Sequence, residues 1–171
     1  MSDAAVELHT LNTIGKSLNQ IENNFPKIIN KTKSSRGTKL SIKYSSSEGY
    51  ANEYARIIGG DSTGSLGFYD AKNNPKITIG EWNAVGSDLT NTMRHELGHP
   101  IHWNALSQDQ FAEWYKLFKS EDKEYWAKKV SKYASESSSE LFAESFTAYT
   151  SEKYKTGILP IEIEKFFKKI K

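Results

Sequence analysis

The sequence predicts a single α+β domain with a small, mixed and twisted sheet between a first helix and a helical C-terminal half. Helical periodicity in the first thirty residues, strand-like segments up to residue 82 and renewed helical periodicity from Asp88 support this class. The length of 171 residues suits one ordinary domain and is short for two. We divide the domain, 1–171, into a helix and loop (1–35), a small sheet (36–84) and a helical part (85–171).

The first helix is predicted over residues 6–30, where apolar residues recur at helical spacing and Pro26 perturbs the end. The basic, Ser-rich run from Lys31 to Lys39 is expected to be a loop. Short strands separated by Gly, Ser, Asn and Asp follow; they are predicted at Leu40–Tyr44, Glu53–Ile58, Leu66–Tyr69 and Lys76–Trp82. The segment Asp70 to Pro75 is typical of a hairpin tip.

A change to helical spacing marks the C-terminal half. Ser87 or Asp88 can cap a helix that runs to about Trp103. Further helices are predicted at Asp109–Ser120, Asp122–Tyr133, Ser137–Lys153 and Ile161–Lys171.

Composition supports a packed core and excludes several classes of function. Hydrophobic residues make up 37% of the chain and aromatic residues 12%. A net charge of +2 gives no indication of nucleic-acid binding. The absence of cysteine excludes disulfides, thiolate nucleophiles and Cys-ligated zinc. With no apolar run of membrane-spanning length and no signal-peptide pattern at Met1 to Thr10, we expect a soluble chain without a membrane partner.

The strongest motif is His95-Glu96-Leu97-Gly98-His99, an HExxH pattern. On a helix, His95 and His99 lie one turn apart on the same face, so both imidazoles can point at one metal ion. Glu96 lies beside this pair, where it can reach water without binding the metal. Two imidazoles and a third protein ligand leave an open position on zinc, as catalytic sites require. The alternative is an amphipathic helix that contains these residues by chance.

The apolar residues of this helix occupy a different side from the histidines. At about 100° per residue they form one stripe that can anchor the helix in the core; they are Leu89, Met93 and Leu97.

Two residues after the motif bear on its geometry. His102 shares the face of the two histidines but lies about 10 Å along the axis from His95, too far for one ion. We therefore expect it to line the cleft or to pack rather than to bind metal. Pro100 lacks a backbone donor and disfavours helical geometry at His99, so a kink is predicted there.

A third ligand must come from downstream, and the segment around Glu140 and Glu144 fits best. The two carboxylates lie one helical turn apart, so one could bind the metal while the other orients a ligand histidine. The run Ser137-Ser138-Ser139-Glu140 also fits a capping box, in which Glu140 only begins a helix. The residues alone leave both interpretations open.

The HExxH motif, the spacer of 40 residues, Tyr133-Ala134 and the segment Glu140–Phe146 together resemble the lethal factor-like zinc metallopeptidases, which include the Pro-Pro endopeptidases. The resemblance covers about residues 64–150. It implies a zincin-like fold of the HExxH gluzincin type and one Zn²⁺ per chain. It also implies a role for each of several residues. His95, His99 and Glu140 would bind the metal, Glu96 would act as general base, Tyr133 would donate a hydrogen bond to the oxyanion, and Glu144 would orient a ligand histidine from outside the metal ligands.

The resemblance implies a zinc metalloendopeptidase acting on an extended protein or peptide substrate. We expect a monomer or a module of a larger protein, secreted, toxin-associated or part of a phage virion if it is a module, and otherwise cytoplasmic. The alternatives are a non-catalytic module that retains a metal site, against which the presence of Glu96 argues, and a hydrolase of a non-peptide amide.

The strand Lys76–Trp82, just before the metal helix, is the expected edge strand above the cleft. In zinc peptidases of this architecture an extended substrate pairs with that strand. The candidate substrate-binding residues are Ile77, Thr78, Ile79, Gly80 and Trp82. These residues could instead be ordinary core and edge positions.

Overall fold

The computed structural model describes residues 3–29, 31–32, 40–59, 66–70, 76–80 and 89–171. Within these ranges the chain is α+β and mostly helical, as predicted. The strands are β1 (Ser41–Ser45), β2 (Gly67–Asp70) and β3 (Lys76–Gly80). The helices are α1 (Asp3–Asn24), α2 (Pro26–Ile29), α3 (Ser47–Ile57), α4 (Leu89–Pro100), α5 (Gln108–Lys119), α6 (Lys123–Lys129), α7 (Ser138–Thr150) and α8 (Ile161–Ile170).

The predicted N-terminal helix is divided at Phe25. Pro26 occupies the first position of α2, where its missing backbone donor costs nothing. Ile14, Ile21 and Phe25 are buried in the core. The helix therefore packs along one face, as the periodicity predicts.

The small sheet is mixed and has the order β1-β3-β2. β1 pairs with β3 in parallel, and β2 pairs with β3 antiparallel. The prediction that Lys76–Trp82 is an edge strand is therefore wrong for its described part, because β3 is the middle strand. β1 and β2, which both precede β3 in the chain, lie on its two sides. The periodicity of residues within β3 cannot reveal this order. β2 is the edge strand on the side of α4.

The predicted strand Glu53–Ile58 is also wrong, since this segment is the C-terminal part of α3. The hydroxyl of Ser46 caps the helix by accepting the N–H of Gly49. Tyr50 and Tyr54 lie one helical turn apart and both contact the ring of Phe68 in β2. Packing of this tyrosine pair on the sheet requires helical spacing and decides the conformation.

α4 lies between the sheet and α7, and its apolar stripe is buried as predicted. Leu89, Met93 and Leu97 are each at most 2% exposed. Gly98 allows the backbones of α4 and α7 to approach closely, because a Cβ at this position would lie 2.8 Å from the Cα of Ala143. The close approach brings the histidine face of α4 against the first turns of α7.

The helix is not interrupted at His99, where a kink was predicted, because His99 and Pro100 both lie within α4, and a π-helical turn follows directly after Pro100. Pro100 itself has helical dihedral angles, and the turn covers Ile101–Ala105. The N–H of Leu106 donates to the carbonyl of Ile101 at 3.2 Å, which closes the wider ring. Such turns insert a residue into a helix and rotate the side chains that follow.

The four remaining helices lie within a few residues of their predicted positions. The largest differences are at the C-terminal ends of two helices. The helix predicted over Asp122–Tyr133 ends at Lys129, and the helix predicted over Ser137–Lys153 ends at Thr150. Tyr133 begins a short 3-10 turn, Tyr133–Ser135. No helix among the described residues is both long enough and apolar enough to cross a membrane.

Gly98→Ala is expected to destabilise the protein although alanine favours helix formation. Overpacking against Ala143 should cost about 1–3 kcal/mol, more than the ~1 kcal/mol of improved helix propensity. Gly15→Ala in α1 is the matched control, because a Cβ there meets nothing within 4 Å. Urea denaturation should show a lower free energy of unfolding than wild type for Gly98→Ala and a higher one for Gly15→Ala. An equal increase in both variants would contradict the close approach of α4 and α7.

Glu164 should contribute stability that disappears in acid. Its buried carboxylate accepts hydrogen bonds from the Tyr154 hydroxyl and from the N–H of Gly157, at 2.6 Å for the latter. These bonds lower the pKa of Glu164 below its ordinary value of 4.5. A lowered folded-state pKa gives stability above the unfolded value, and protonation removes it as pH falls through the folded value.

Glu164→Gln should therefore lower the free energy of unfolding at pH 7 by about 1–2 kcal/mol. The deficit relative to wild type should narrow as the pH is lowered below 4.5. Glu162→Gln, on the exposed face of the same helix turn, is the control. A deficit that is constant with pH would show that the carboxylate charge contributes nothing.

Candidate metal centre

Two histidines and one glutamate converge between α4 and α7. His95 Nε2 lies 3.2 Å from Glu140 Oε2, and His99 Nε2 lies 3.7 Å from Glu140 Oε1. One donor atom from each of the three residues lies within 4.8 Å of the others. These residues, which the family resemblance implied as ligands, form a group that could hold a metal ion.

Outer hydrogen bonds orient both imidazoles. His95 Nδ1 lies 2.8 Å from Glu144 Oε1, and His99 Nδ1 lies 2.9 Å from Ser139 Oγ. With Nδ1 protonated, each ring donates to its oxygen partner and presents the lone pair of Nε2 to the centre of the group. The predicted position of Glu144 behind a histidine therefore agrees with the structure.

Ser139 was missed as a functional candidate. The only available signal was its position within the Ser-rich start of a helix, and that position indicated capping instead. Its hydroxyl reaches His99 because the start of α7 lies directly against α4.

Glu140 combines the two roles that the sequence left open. The Ser137 hydroxyl caps α7 by accepting the backbone N–H of Glu140 at 3.1 Å. The carboxylate points to the histidines instead of returning to the cap. The backbone of Glu140 therefore begins the helix while its side chain completes the group.

One further observation indicates that this group could bind a cation. Glu140 Oε2 is buried, lies 3.2 Å from His95 Nε2 and makes no hydrogen bond of good geometry among the described residues. A buried carboxylate oxygen without a well-formed hydrogen bond is costly, and a metal ion would compensate it. Two imidazole nitrogens and one carboxylate oxygen are donors that suit zinc and other divalent transition metals.

The electrostatic environment distinguishes the two histidines. Burial acts to lower the pKa of His95, but the neighbouring carboxylates of Glu140 and Glu144 outweigh it and raise the value to about 10. Burial lowers the pKa of His99 to about 4, so this ring is neutral at pH 7. The carboxylates that attract a proton to His95 would equally attract a divalent cation, with release of that proton.

Glu96 is buried beside this group and lines the same cavity. Burial raises the pKa of its carboxyl to about 7, with His95 opposing the rise and Glu140 adding to it. β2 closes over this side chain: a Cβ at Gly67 would lie 2.9 Å from Glu96 Cγ. Glu96 can therefore exchange a proton near neutral pH in a site protected by the sheet edge.

Tyr133 stacks on His95 with ring centroids 5.6 Å apart and 24° between the planes. Its side chain is 47% exposed and lines the cavity. Burial of the ring, together with the negative charges of Glu140 and Glu96, raises the pKa of its hydroxyl. The phenol stays protonated at neutral pH and can donate a hydrogen bond.

His102 packs in the core and does not join the group, as the sequence predicted. Its ring contacts Trp103, Phe111 and Phe142 with centroids 4.8–5.3 Å apart. Burial lowers its pKa to about 4, so the ring is neutral. Neither ring nitrogen has a hydrogen-bond partner in the part of the chain that the structure describes.

The predicted substrate-binding residues of β3 do not line the cavity. Ile77, Thr78 and Ile79 are fully buried and Gly80 is buried with them in the middle strand, so they are core positions. Trp82 lies outside the described residues.

The cavity has a volume of about 320 Å³, and residues from outside α4 and α7 line it together with the histidines. These residues, here called the outer wall, are Tyr54, Ile58, Gly67, Phe68, Tyr69 and Trp103. Sequence reasoning missed it because the segment that contains Tyr54 and Ile58 was interpreted as a strand.

Comparison with protein-family models, with curated proteins and with solved structures gives no match to this chain.

Ser139→Ala is expected to weaken Zn²⁺ affinity by about 10-fold or more, since it removes the hydrogen bond that orients His99. Ser138→Ala is the matched control, because the Ser138 hydroxyl has no hydrogen-bond partner among the described residues. Competition titration against a chromogenic chelator measures both affinities. Equal affinities for the two variants would show that Ser139 does not orient a ligand.

Proposed function

We propose that this chain is a zinc-dependent endopeptidase with a zincin-like active site of the lethal factor type. The observation that carries the proposal is the convergence of His95, His99 and Glu140 within 4.8 Å, with Glu96 buried in the same cavity. A metal group, an adjacent base and an open cavity are together what hydrolysis of a peptide bond requires.

His95, His99 and Glu140 would hold the ion, and Glu144 and Ser139 would keep the rings in place. The chemistry that zinc supplies when bound is Lewis acidity, which polarises a carbonyl and acidifies water. Three protein ligands favour a catalytic site over a structural one, because structural zinc sites usually have four.

Glu96 acts as the general base. Its carboxylate accepts a proton from the attacking water and delivers it to the leaving amine, so one group serves both halves of the reaction. The pKa of about 7 suits this exchange, since the carboxyl neither holds nor loses the proton too strongly at neutral pH.

Tyr133 donates its phenolic hydrogen to the oxygen of the scissile carbonyl as that oxygen gains negative charge. Tyr133 stacks on His95 and lines the cavity, which supports this role. Its raised pKa keeps the donor proton on the phenol.

The substrate lies in extended form along the outer wall, beside β2 rather than β3. β2 is one of the two terminal strands of the described sheet, and three of its residues, Gly67, Phe68 and Tyr69, line the cavity. A peptide beside a sheet edge is held through its backbone, and the side-chain pockets then choose among sequences.

Glu96→Gln should retain about one Zn²⁺ per chain and lose peptide cleavage. The amide keeps the size of the side chain but cannot accept the proton of water. Metal analysis and mass spectrometry of a cleaved peptide library measure the two properties. Cleavage equal to wild type would remove Glu96 from the mechanism, and loss of zinc would show that it acts on the metal group instead.

Tyr133→Phe should lower kcat by about 10²–10³-fold with little change in KM, because the lost hydrogen bond forms as charge develops. Tyr115→Phe is the control, since Tyr115 is similarly exposed but lies outside the cavity. An increase in KM at unchanged kcat would assign Tyr133 to substrate binding alone.

A further inference from the structure

Gly67 is a point of very close approach between β2 and α4. A glycine inside a strand gives up side-chain packing and often marks a site where another group comes near. A Cβ at this position would lie 2.9 Å from Glu96 Cγ, 3.0 Å from Thr92 Cγ2 and 3.1 Å from Ile79 Cδ1. Ordinary contacts of a Cβ begin at 3.4 Å, so no side chain fits at Gly67 unless one of these neighbours moves.

Contacts on two sides hold β2 in this position. Gly67 is paired with Ile79 in the antiparallel register, and the N–H of Gly80 donates to the carbonyl of Leu66 at 3.2 Å. The next residue of the strand, Phe68, packs against two tyrosine rings of α3 with centroids 5.4 and 5.6 Å away. A side chain added at Gly67 would therefore displace its neighbours on α4 rather than the strand itself.

Glu96 is the neighbour whose displacement has a chemical consequence. Its side chain is buried and lines the same cavity as the histidines. Burial and the charges of His95 and Glu140 shift the pKa of its carboxyl, and no hydrogen bond among the described residues contributes. Because no polar partner holds the carboxylate, packing against β2 decides the direction in which it points.

We propose that Gly67 is a positioning residue for Glu96, since its lack of a side chain leaves the space in which Glu96 directs its carboxylate into the cavity. This inference rests on the proposed peptidase function, in which Glu96 is the base. A methyl group at position 67 would force Glu96 Cγ from 2.9 Å to an ordinary contact of 3.4 Å or more. Catalytic groups tolerate displacements of only about 0.5 Å, and about 1 Å can cost 100-fold in rate.

The effect is expected to fall on the base and not on the metal group. None of the three atoms nearest to the added carbon belongs to His95, His99 or Glu140. The bonds that orient the two imidazoles, to Glu144 and Ser139, lie on the side of α7. Substitution at Gly67 should therefore separate proton transfer from metal binding.

The experiment compares wild type with Gly67→Ala and with Gly49→Ala. Gly49 in α3 is the matched control, because a Cβ there would lie 2.9 Å from Ser45 Oγ, an equally close contact outside the cavity. Cleavage of a peptide gives kcat and KM, and competition with a chromogenic chelator gives Zn²⁺ affinity. Gly67→Ala should lower kcat about 10–100-fold, with KM and Zn²⁺ affinity within about threefold of wild type. Gly49→Ala should leave all three unchanged.

A second variant keeps the result decisive if Gly67→Ala is unstable, as its thermal transition would show. Thr92→Ser removes the Cγ2 atom, 3.0 Å from the added carbon, and keeps the hydroxyl. In the double variant the methyl group can shift toward this space and away from Glu96, so kcat should recover by about threefold or more. A parallel loss of Zn²⁺ affinity and kcat, or an increase in KM alone, would show that Gly67 maintains the cleft as a whole and would overturn the positioning role.

Crystal structures of wild type and Gly67→Ala separate this inference from the proposed function. A displacement of Glu96 Cγ by about 0.5 Å or more in the variant supports the positioning role, even if wild type cleaves no peptide and the peptidase is rejected. Cleavage by wild type with an equal kcat for Gly67→Ala would retain the peptidase and reject the positioning role. An unmoved Glu96 side chain in the variant would reject it as well.

Discussion

The close approach of α4 and α7 at Gly98 and Ala143 is the contact on which the candidate site depends. The absence of a side chain at Gly98 lets the carboxylate of Glu140 reach the imidazoles of α4. Because protein interiors are close-packed, a small increase in volume there would separate the donor atoms as well as the helices. One packing constraint thus serves both the fold and the ligand geometry.

The same contact explains how buried polar groups are accommodated. Glu144 and Ser139 stand behind the two histidines, so each ring is fixed from its outer nitrogen. Glu96 and the Oε2 atom of Glu140 are buried with less support from hydrogen bonds. Concentration of such groups in one cavity is typical of functional sites, where stability is given up for chemistry. The apolar stripe on the other side of α4 offsets this cost through burial in the core.

The cavity is asymmetric because the chain changes its helical geometry directly after the turn that carries His95 and His99. Pro100 cannot donate to the preceding turn, and the π-helical segment that follows turns His102 inward and Trp103 outward. The bond from Asn104 to Tyr69 then joins this segment to the edge of the sheet. Two elements that line the cavity are therefore connected, although they come from distant parts of the sequence.

The sequence by itself determined the class of fold, the histidine face of α4, its apolar stripe and the likeness of Glu140 and Glu144 to an acidic ligand pair. All of these follow from periodicity within one helix or from short motifs, which local geometry fixes. Only the tertiary structure decided that β3 is central, that Glu53–Ile57 is helical and that the outer wall lines the same cavity as His95 and His99. Strand order and helix approach depend on contacts between segments far apart in the chain, and no local pattern encodes which surfaces will meet.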